Sequence, residues 1–135
     1  MTTGKRTVVR LGLPEETSYG YAQAVQVGDL VLVSGQTGVR DDDGPHDMPN
    51  QMRLAYERIG TVLAQVGLTI NDVVDETIYT TDLLATAISP VRHEVFGDPI
   101  ETASTLIGVR AIGSPYRNCP ALVEIKCTAA VSPGT

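Results

Sequence analysis

The fold of this chain is decided by the stretch YAQAVQVGDLVLVSGQ, which occupies residues 21–36. Residues 22–27 and 30–33 are rich in apolar and β-branched side chains, and the turn sequence Gly28-Asp29 between them is typical of a β-hairpin. Residues 30–33 are apolar at every position, so the side chains on both faces of this strand are apolar. We therefore expect a hairpin in a sheet that is covered on both faces.

The rest of the chain is typical of an α+β domain. Hydrophobic periodicity predicts a helix that begins with Asn50 as its cap and ends at Gly67. It predicts a second helix that follows a cap at Asp82 or Ser89 and ends near Phe96. Further strands are expected at residues 7–11, 73–81, 104–112 and 121–131, with loops at 40–50 and 113–120. The predicted architecture is one mixed sheet with two helices on one face.

Two helices cover only one face of such a sheet. The apolar side chains of the other face would be exposed in a single chain, and large exposed apolar patches are rare on monomers. The sequence therefore predicts a homo-oligomer. With 135 residues the chain is expected to form one domain over 1–135, with a flexible N-terminal tail at 1–6 and a C-terminal tail at 132–135.

Composition disfavours several classes of function. The formal net charge of −6 and the pI near 4.7 disfavour nucleic-acid binding. No apolar run approaches the roughly 20 residues of a membrane span, and the first residues lack the apolar core of a signal peptide. We therefore predict a cytoplasmic protein with no membrane partner, in which Cys119 and Cys127 are free thiols. His46 and His93 lack metal-ligand spacing, and neither a metal nor another cofactor is predicted.

Short motifs in a fixed order resemble the RidA/YjgF family over residues 18–131. The resemblance implies a chorismate-mutase-like fold, a homotrimer and a small-molecule cleft at each subunit interface. Well-known members of that family hydrolyse enamines and imines, such as 2-aminoacrylate, to a keto acid and ammonia. The matching residues are Tyr21-Ala22-Gln23-Ala24, Gly28-Asp29, Val33-Ser34-Gly35-Gln36, Asp82-Leu83, Phe96 and Val123-Glu124-Ile125.

One departure from the family pattern bears on the substrate. The family deaminases hold the substrate carboxylate with an arginine in a Pro-Ala-Arg-Ser motif, and Ser104 occupies the place of that arginine here. A hydroxyl in place of a guanidinium fork removes roughly 1.5–3 kcal/mol of anchoring. Arg110 is roughly 20 Å further along the predicted strand, whereas Arg117, in the loop at 113–120, is the candidate that folds back over the cleft. Pro90 stands where many deaminase members carry an asparagine.

The resemblance also assigns candidate roles to single residues. It implies that Glu124 points into the cleft as a general base, with a surface ion pair as the alternative. It implies that Tyr21 orients a ligand, with a packing role as the alternative. Gly35 is expected to bring its backbone N–H close to the ligand or to form a bend, and Ser34 to serve that turn as well as a ligand.

Four further residues are weaker candidates for ligand contact. Ser104 can donate to a ligand but has no His-Asp partner for a nucleophilic triad. His93 either faces the cleft of a neighbouring subunit or lies on a solvated helix face, which is the favoured alternative. Arg117 and Cys119 contact a ligand if the loop at 113–120 lines the cleft, and Cys119 is then a candidate reactive thiol.

Three functional hypotheses follow from these residues. The first is an imine or enamine deaminase, a hydrolase of altered specificity that is weak or inactive on 2-aminoacrylate. The second is a non-catalytic module that binds a small metabolite or has a regulatory role. The third is a pathway-specific enzyme acting on an unusual nitrogen compound. RNA cleavage is the least favoured, because the acidic chain lacks a basic groove.

Overall fold

Six strands form one mixed sheet in the computed structural model, which describes residues 5–132. The strands lie side by side in the order β1-β2-β3-β6-β4-β5. All neighbours are antiparallel except β4 and β5, which are parallel. The predicted single mixed sheet is therefore confirmed. The strands are β1 (Thr7–Val9), β2 (Ala24–Val27), β3 (Leu30–Thr37), β4 (Val73–Thr80), β5 (Ala103–Gly108) and β6 (Val123–Ala130).

Three α-helices accompany the sheet where the sequence predicts two. They are α1 (Pro14–Tyr19), α2 (Met48–Ala64) and α3 (Ile88–Phe96), and a 3-10 turn covers Ile70–Asp72. Helix α1 was not predicted because its one buried residue is Glu16, so it shows no apolar periodicity. Its start is set by Pro14, whose fixed φ suits the first turn of a helix.

The predicted helix caps are wrong. Asp47 caps α2 by accepting a hydrogen bond from the Asn50 backbone N–H at 3.1 Å, and Asn50 itself lies within the first turn. Helix α3 follows Ala87 without a side-chain cap. Asp82 instead accepts from the Leu84 backbone N–H at 3.0 Å and so closes a turn ahead of the helix.

Several strand boundaries also differ from prediction. Strand β5 ends at Gly108, where residues to 112 were expected to continue it. Strand β1 ends at Val9 and β6 begins at Val123. The segment 109–122 therefore forms a connection longer than the predicted loop at 113–120.

The core lies between the sheet and α2. Val31 and Val33 point to this side and are fully buried, and Met52, Ile59 and Leu63 of α2 fill the space above them. Burial of side chains of this size contributes about 1.5–3 kcal/mol each.

The opposite face of the sheet is bare and apolar in one chain. Val27, Leu30 and Leu32 are 45%, 47% and 45% exposed, respectively. The strand that the sequence predicts to be apolar on both faces is confirmed, but only one of its faces is covered within the chain.

Other sequence predictions have mixed outcomes. Cys119 and Cys127 are free, buried thiols, as expected. Within residues 5–132 no helix has the length and apolar character needed to cross a membrane. The predicted tails are only partly covered, since residues 1–4 and 133–135 lie outside the described residues.

Candidate functional site

A β-bulge brings Gly35 and Glu124 together. Val33 pairs with Cys127 and Gln36 pairs with Ile125, so β3 carries one more residue than β6 between these two pairs. The extra residue lies in the Ser34-Gly35 segment. A Cβ atom on Gly35 would lie only 2.9 Å from Cδ of Glu124. The absence of a side chain at Gly35 therefore lets the Glu124 carboxyl group lie over its backbone.

The Glu124 carboxyl group is half-buried without a compensating charge. Its backbone pairs with Thr37 on one side and Tyr79 on the other, on two antiparallel neighbours of β6. Burial raises the pKa of Glu124 above its usual value, and burial is the only cause of the shift. Within residues 5–132 no basic side chain contributes to the shift, so the carboxylate is available to accept a proton from water or a ligand.

Tyr21 lies near this carboxyl group. Burial raises the pKa of the Tyr21 hydroxyl, and the negative charges of Glu15, Glu16 and Glu124 add to the shift. The backbone N–H of Tyr21 donates to the Glu16 carbonyl at 3.0 Å, directly after the end of α1. The short helix that the sequence did not predict therefore positions the predicted tyrosine.

Two glutamines connect α1 to the bulge. The Gln36 side-chain amide donates to the Gln23 side-chain oxygen at 2.9 Å, and the Gln23 amide donates to the Glu16 carboxylate at 2.9 Å. Glu16 also accepts from the backbone N–H groups of Leu11 and Gly12. Hydrogen bonds from Leu11 and Gln23 lower the pKa of Glu16, against the effect of burial. This network keeps Glu16 ionised and fixes the residues around Tyr21.

Ser34 serves the backbone at this position. Its hydroxyl donates to the Ala22 carbonyl at 2.6 Å, and its backbone N–H donates to the Gln23 carbonyl at 2.8 Å. The donor of the hydroxyl is thus engaged, and only its lone pairs remain for a ligand.

Ser104 and Tyr21 lie near opposite edges of the sheet. It is an exposed residue of the edge strand β5, whereas Tyr21 precedes β2, four interstrand spacings or about 19 Å away. Ser104 also pairs with the buried Glu76, which places it on the helix face, while Glu124 lies on the bare face. Within one chain, Ser104 is therefore too far from Tyr21 and on the wrong face relative to Glu124 to form one site with either residue.

The remaining predicted contact residues have surroundings that do not include Glu124 among their hydrogen-bond or ion-pair partners. His93 is exposed on α3, and its Nδ1 lies 3.9 Å from Asp98 Oδ1, consistent with a solvated helix face. Arg117 is exposed in the 109–122 connection. Cys119 is fully buried, and its Sγ lies 3.2 Å from His46 Nδ1. Among residues 5–132 no group of three or more His, Cys, Asp or Glu side chains is arranged to hold a metal ion.

Two surface depressions flank these elements. A polar one of about 420 Å³ is lined in part by Glu16, Gly20 and Tyr21. A larger and more apolar one of about 620 Å³ lies between α2 and the 3-10 turn, and no predicted site residue lines it. Only the polar depression adjoins the residues that the sequence singles out.

Comparison with known proteins assigns the chain to a family. The family described as Endoribonuclease L-PSP matches residues 14–131 of the chain. The chain belongs to this YjgF/Rid family. RutC family protein YjgH of Escherichia coli (strain K12) is 38% identical over 92 residues, which is 66% of this chain and 70% of YjgH.

A solved structure and a second relative extend the comparison. The Mycobacterium tuberculosis protein Rv2704, of the YjgF/YER057c/UK114 family, has a TM-score of 0.81 and 36% identity over 94% of this chain and 100% of its own. A protein of Escherichia coli (strain K12) named as a reactive intermediate deaminase, TdcF, is 35% identical over 65 residues, which is 47% of this chain and 50% of TdcF. The YjgF/Rid membership and the α+β fold expected from the sequence are thus confirmed.

Sequence reasoning missed three polar groups of this YjgF/Rid chain. Glu16 and Gln23 are buried beside Tyr21, and Gln23 stands within the quoted YAQA motif, so its polarity between apolar neighbours was an available signal. Glu76 is fully buried, and Tyr56 and Arg92 each contact its carboxylate at 2.7 Å. A glutamate inside a β-rich run was the signal for that cluster.

Proposed function

We propose that the protein is a homotrimer that hydrolyses the C=N bond of a small imine, or of the imine tautomer of an enamine, in clefts between its subunits. The observation that carries the proposal is the half-buried Glu124 carboxyl group over Gly35, close to Tyr21. The name of TdcF and the sequence resemblance support the deaminase class.

The geometry supports a cleft between copies of the chain. Ser104 lies on the helix face of the edge strand β5, whereas Glu124 lies on the bare face of the central strand β6, so a ligand that contacts both residues must lie between two chains. The bare face, with Leu30 and Leu32 nearly half exposed, supplies the apolar surface for such an assembly. A trimer is the assembly that the family resemblance favours.

The residues of this chain suffice for a hydrolytic step. With a protonated imine as substrate, Glu124 accepts a proton from a water molecule as the water oxygen bonds to the C=N carbon, which gives a carbinolamine. Glu124 returns this proton to the amine nitrogen, the C–N bond breaks and ammonia leaves. The C=O bond forms as the hydroxyl proton passes back to the Glu124 carboxylate. Tyr21 orients the ligand at the mouth of the cleft.

Ser104 sets the expected substrate class. Because no guanidinium stands at this position, a substrate carboxylate gains one neutral hydrogen bond at most, and 2-aminoacrylate is expected to react weakly. Imines without a carboxylate, or unusual nitrogen compounds of another shape, are the better candidates.

The test is the variant Glu124→Gln, with Glu57→Gln as the matched control on the exposed face of α2. Imines with and without a carboxylate are generated in situ by an oxidase, and their loss is followed by semicarbazide trapping. We expect Glu124→Gln to lower kcat by at least about 100-fold and Glu57→Gln to leave it unchanged. In the wild type, kcat/KM should fall as the pH drops through the raised pKa of Glu124, since only the carboxylate accepts the proton.

Two results would contradict the proposal. Robust turnover by the Glu124→Gln variant would show that Glu124 is not the general base. If the protein binds a small metabolite but turns over none of the tested imines, the non-catalytic module is favoured. In that case Glu124→Gln would change only the affinity for the metabolite. RNA cleavage, which the family description names, is not part of the proposal because the chain has a net charge of −6.

A further inference from the structure

Two loops that are distant in sequence meet at a cysteine–histidine pair. Cys119 Sγ lies 3.2 Å from His46 Nδ1, although 73 residues separate them. His46 Nε2 lies 2.7 Å from the Asp42 carbonyl oxygen and 3.8 Å from Asp42 Oδ1. A thiol, a base and an acceptor that orients the base are the parts of an activated nucleophile.

The pair is held in place by Gln51 of α2. The Gln51 amide group donates to the carbonyls of His46 and Pro120, both at 2.9 Å, and its oxygen accepts from the Leu122 N–H at 2.9 Å. The Ser114 hydroxyl also donates to the Cys119 carbonyl at 2.7 Å. Both loops are therefore anchored to the fold beside the two reactive side chains.

A guanidinium group is bound to the backbone of Val39, which packs in the same cluster as Cys119. The Arg58 guanidinium donates to the carbonyls of Thr37 and Val39 at 2.8 and 2.7 Å. Burial lowers the pKa of Arg58, and the negative charges that Tyr116 and Cys119 can carry oppose that shift. A negative charge at Cys119 would therefore be attracted by the Arg58 guanidinium.

We propose that Cys119 is a peroxide-reactive thiol and that His46 is its base. His46 Nδ1 takes the thiol proton, and the thiolate sulfur attacks one peroxide oxygen. The S–O bond forms as the O–O bond breaks, and the departing hydroxide takes the proton from the imidazolium to give water. The sulfur is oxidised to a sulfenic acid by two electrons, and the peroxide is reduced.

The surroundings of Cys119 favour a small oxidant. The sulfur is fully buried against Val39 and Ala121, with the half-buried Ile112 and Tyr116 beside them. Entry requires local displacement of the 109–122 connection, which contains no helix or strand. A peroxide of two heavy atoms needs the least displacement.

Trapping of the sulfenic acid tests the proposal. The wild-type protein is treated with hydrogen peroxide in the presence of a cyclic 1,3-dione, and adducts at each cysteine are quantified by peptide mass spectrometry. Cys127 is the internal control, because burial in the core raises its pKa to about 12. We expect Cys119 to be trapped at least about tenfold faster than Cys127, because His46 lies within reach of the Cys119 thiol proton whereas burial keeps the Cys127 thiol protonated.

Variants separate the chemistry from simple access. His46→Gln should slow trapping at Cys119 by about tenfold or more, because glutamine cannot take the proton. Asp43→Asn, an exposed change in the same loop, should leave the rate unchanged. Equal trapping at both cysteines in the wild type would overturn the proposal, whether or not the variants fold. So would an unchanged rate in a His46→Gln protein with a native circular dichroism spectrum.

Discussion

At the scale of single residues, Gly35 is the position of the candidate site at which an added side chain would collide with Glu124. Its missing side chain leaves room for the Glu124 carboxyl group, and its segment carries the extra residue of the β-bulge. In the pattern Ser-Gly-Gln at the end of this strand, the glycine contributes to the site because it has no side chain, and Glu124 occupies the space that a side chain would fill.

Gly35→Ala should inactivate the protein without unfolding it. The new Cβ would meet Cδ of Glu124 at 2.9 Å, and this flexible side chain can rotate away while the backbone stays in place. We expect turnover of an imine to fall about 100-fold, since displacements near 1 Å have this effect. The thermal unfolding midpoint should change little.

The matched control is Gly60→Ala in the interior of α2, where an added Cβ meets nothing within 4 Å. It should raise the free energy of unfolding by about 0.8–1 kcal/mol and leave turnover unchanged. A Gly35→Ala protein with wild-type turnover would show that the carboxyl position is unimportant.

At the scale of elements, the parts that the sequence predicts best are those with local signals. The hairpin of β2 and β3 follows from Gly28-Asp29 between two apolar runs, and α2 follows from its apolar periodicity. Helix α1 buries only Glu16, so no periodic signal exists. The strand β5 was predicted too long because Val109, Ala111 and Ile112 are β-branched or apolar, although pairing with β4 ends at Gly108.

The sequence predicts the residues of the candidate site within each segment, but it does not predict the contacts between segments. Gly35 and Glu124 were identified by resemblance, whereas their contact depends on the pairing of two strands about 90 residues apart in sequence. The pair of His46 and Cys119 depends on two irregular loops whose meeting has no local signal. The sequence therefore indicates which residues matter before it indicates which of them touch.

Gln51 is the residue through which α2 holds both loops. Gln51→Leu would leave the Leu122 N–H and the carbonyls of His46 and Pro120 without this partner. Unsatisfied buried groups of this kind cost about 1–3 kcal/mol each, so we expect the free energy of unfolding to fall by about 3 kcal/mol. Urea denaturation followed by circular dichroism measures the change.

Gln65→Leu is the control for that substitution. Gln65 is exposed directly after the same helix, and its side chain donates a long hydrogen bond of 3.4 Å to the Thr61 carbonyl. We expect its free energy of unfolding to change by less than about 0.5 kcal/mol. Equal losses in the two variants would show that the hydrogen bonds of Gln51 do not anchor the loops.

At the scale of the whole molecule, the sheet has one covered and one bare face. Helix α2 packs on the covered face, where Val31 and Val33 are fully buried. On the other face, Leu30 and Leu32 pair with Ala130 and Thr128 of β6 and remain nearly half exposed. Hydrophobic area of this kind is stabilised when a second copy covers it.

Leu32→Lys should therefore dissociate the assembly. The wild-type protein is expected to sediment as three times the 14.4 kDa mass of one chain, and the variant at the mass of a single chain, because a buried lysine without a partner opposes docking. Leu84→Lys is the control, since Leu84 is 90% exposed in a turn outside the sheet. Sedimentation equilibrium at several concentrations measures all three masses. A wild-type protein that remains a folded single chain would contradict both the assembly and the cleft between subunits, whereas an assembled Leu32→Lys protein would show that copies meet through another surface.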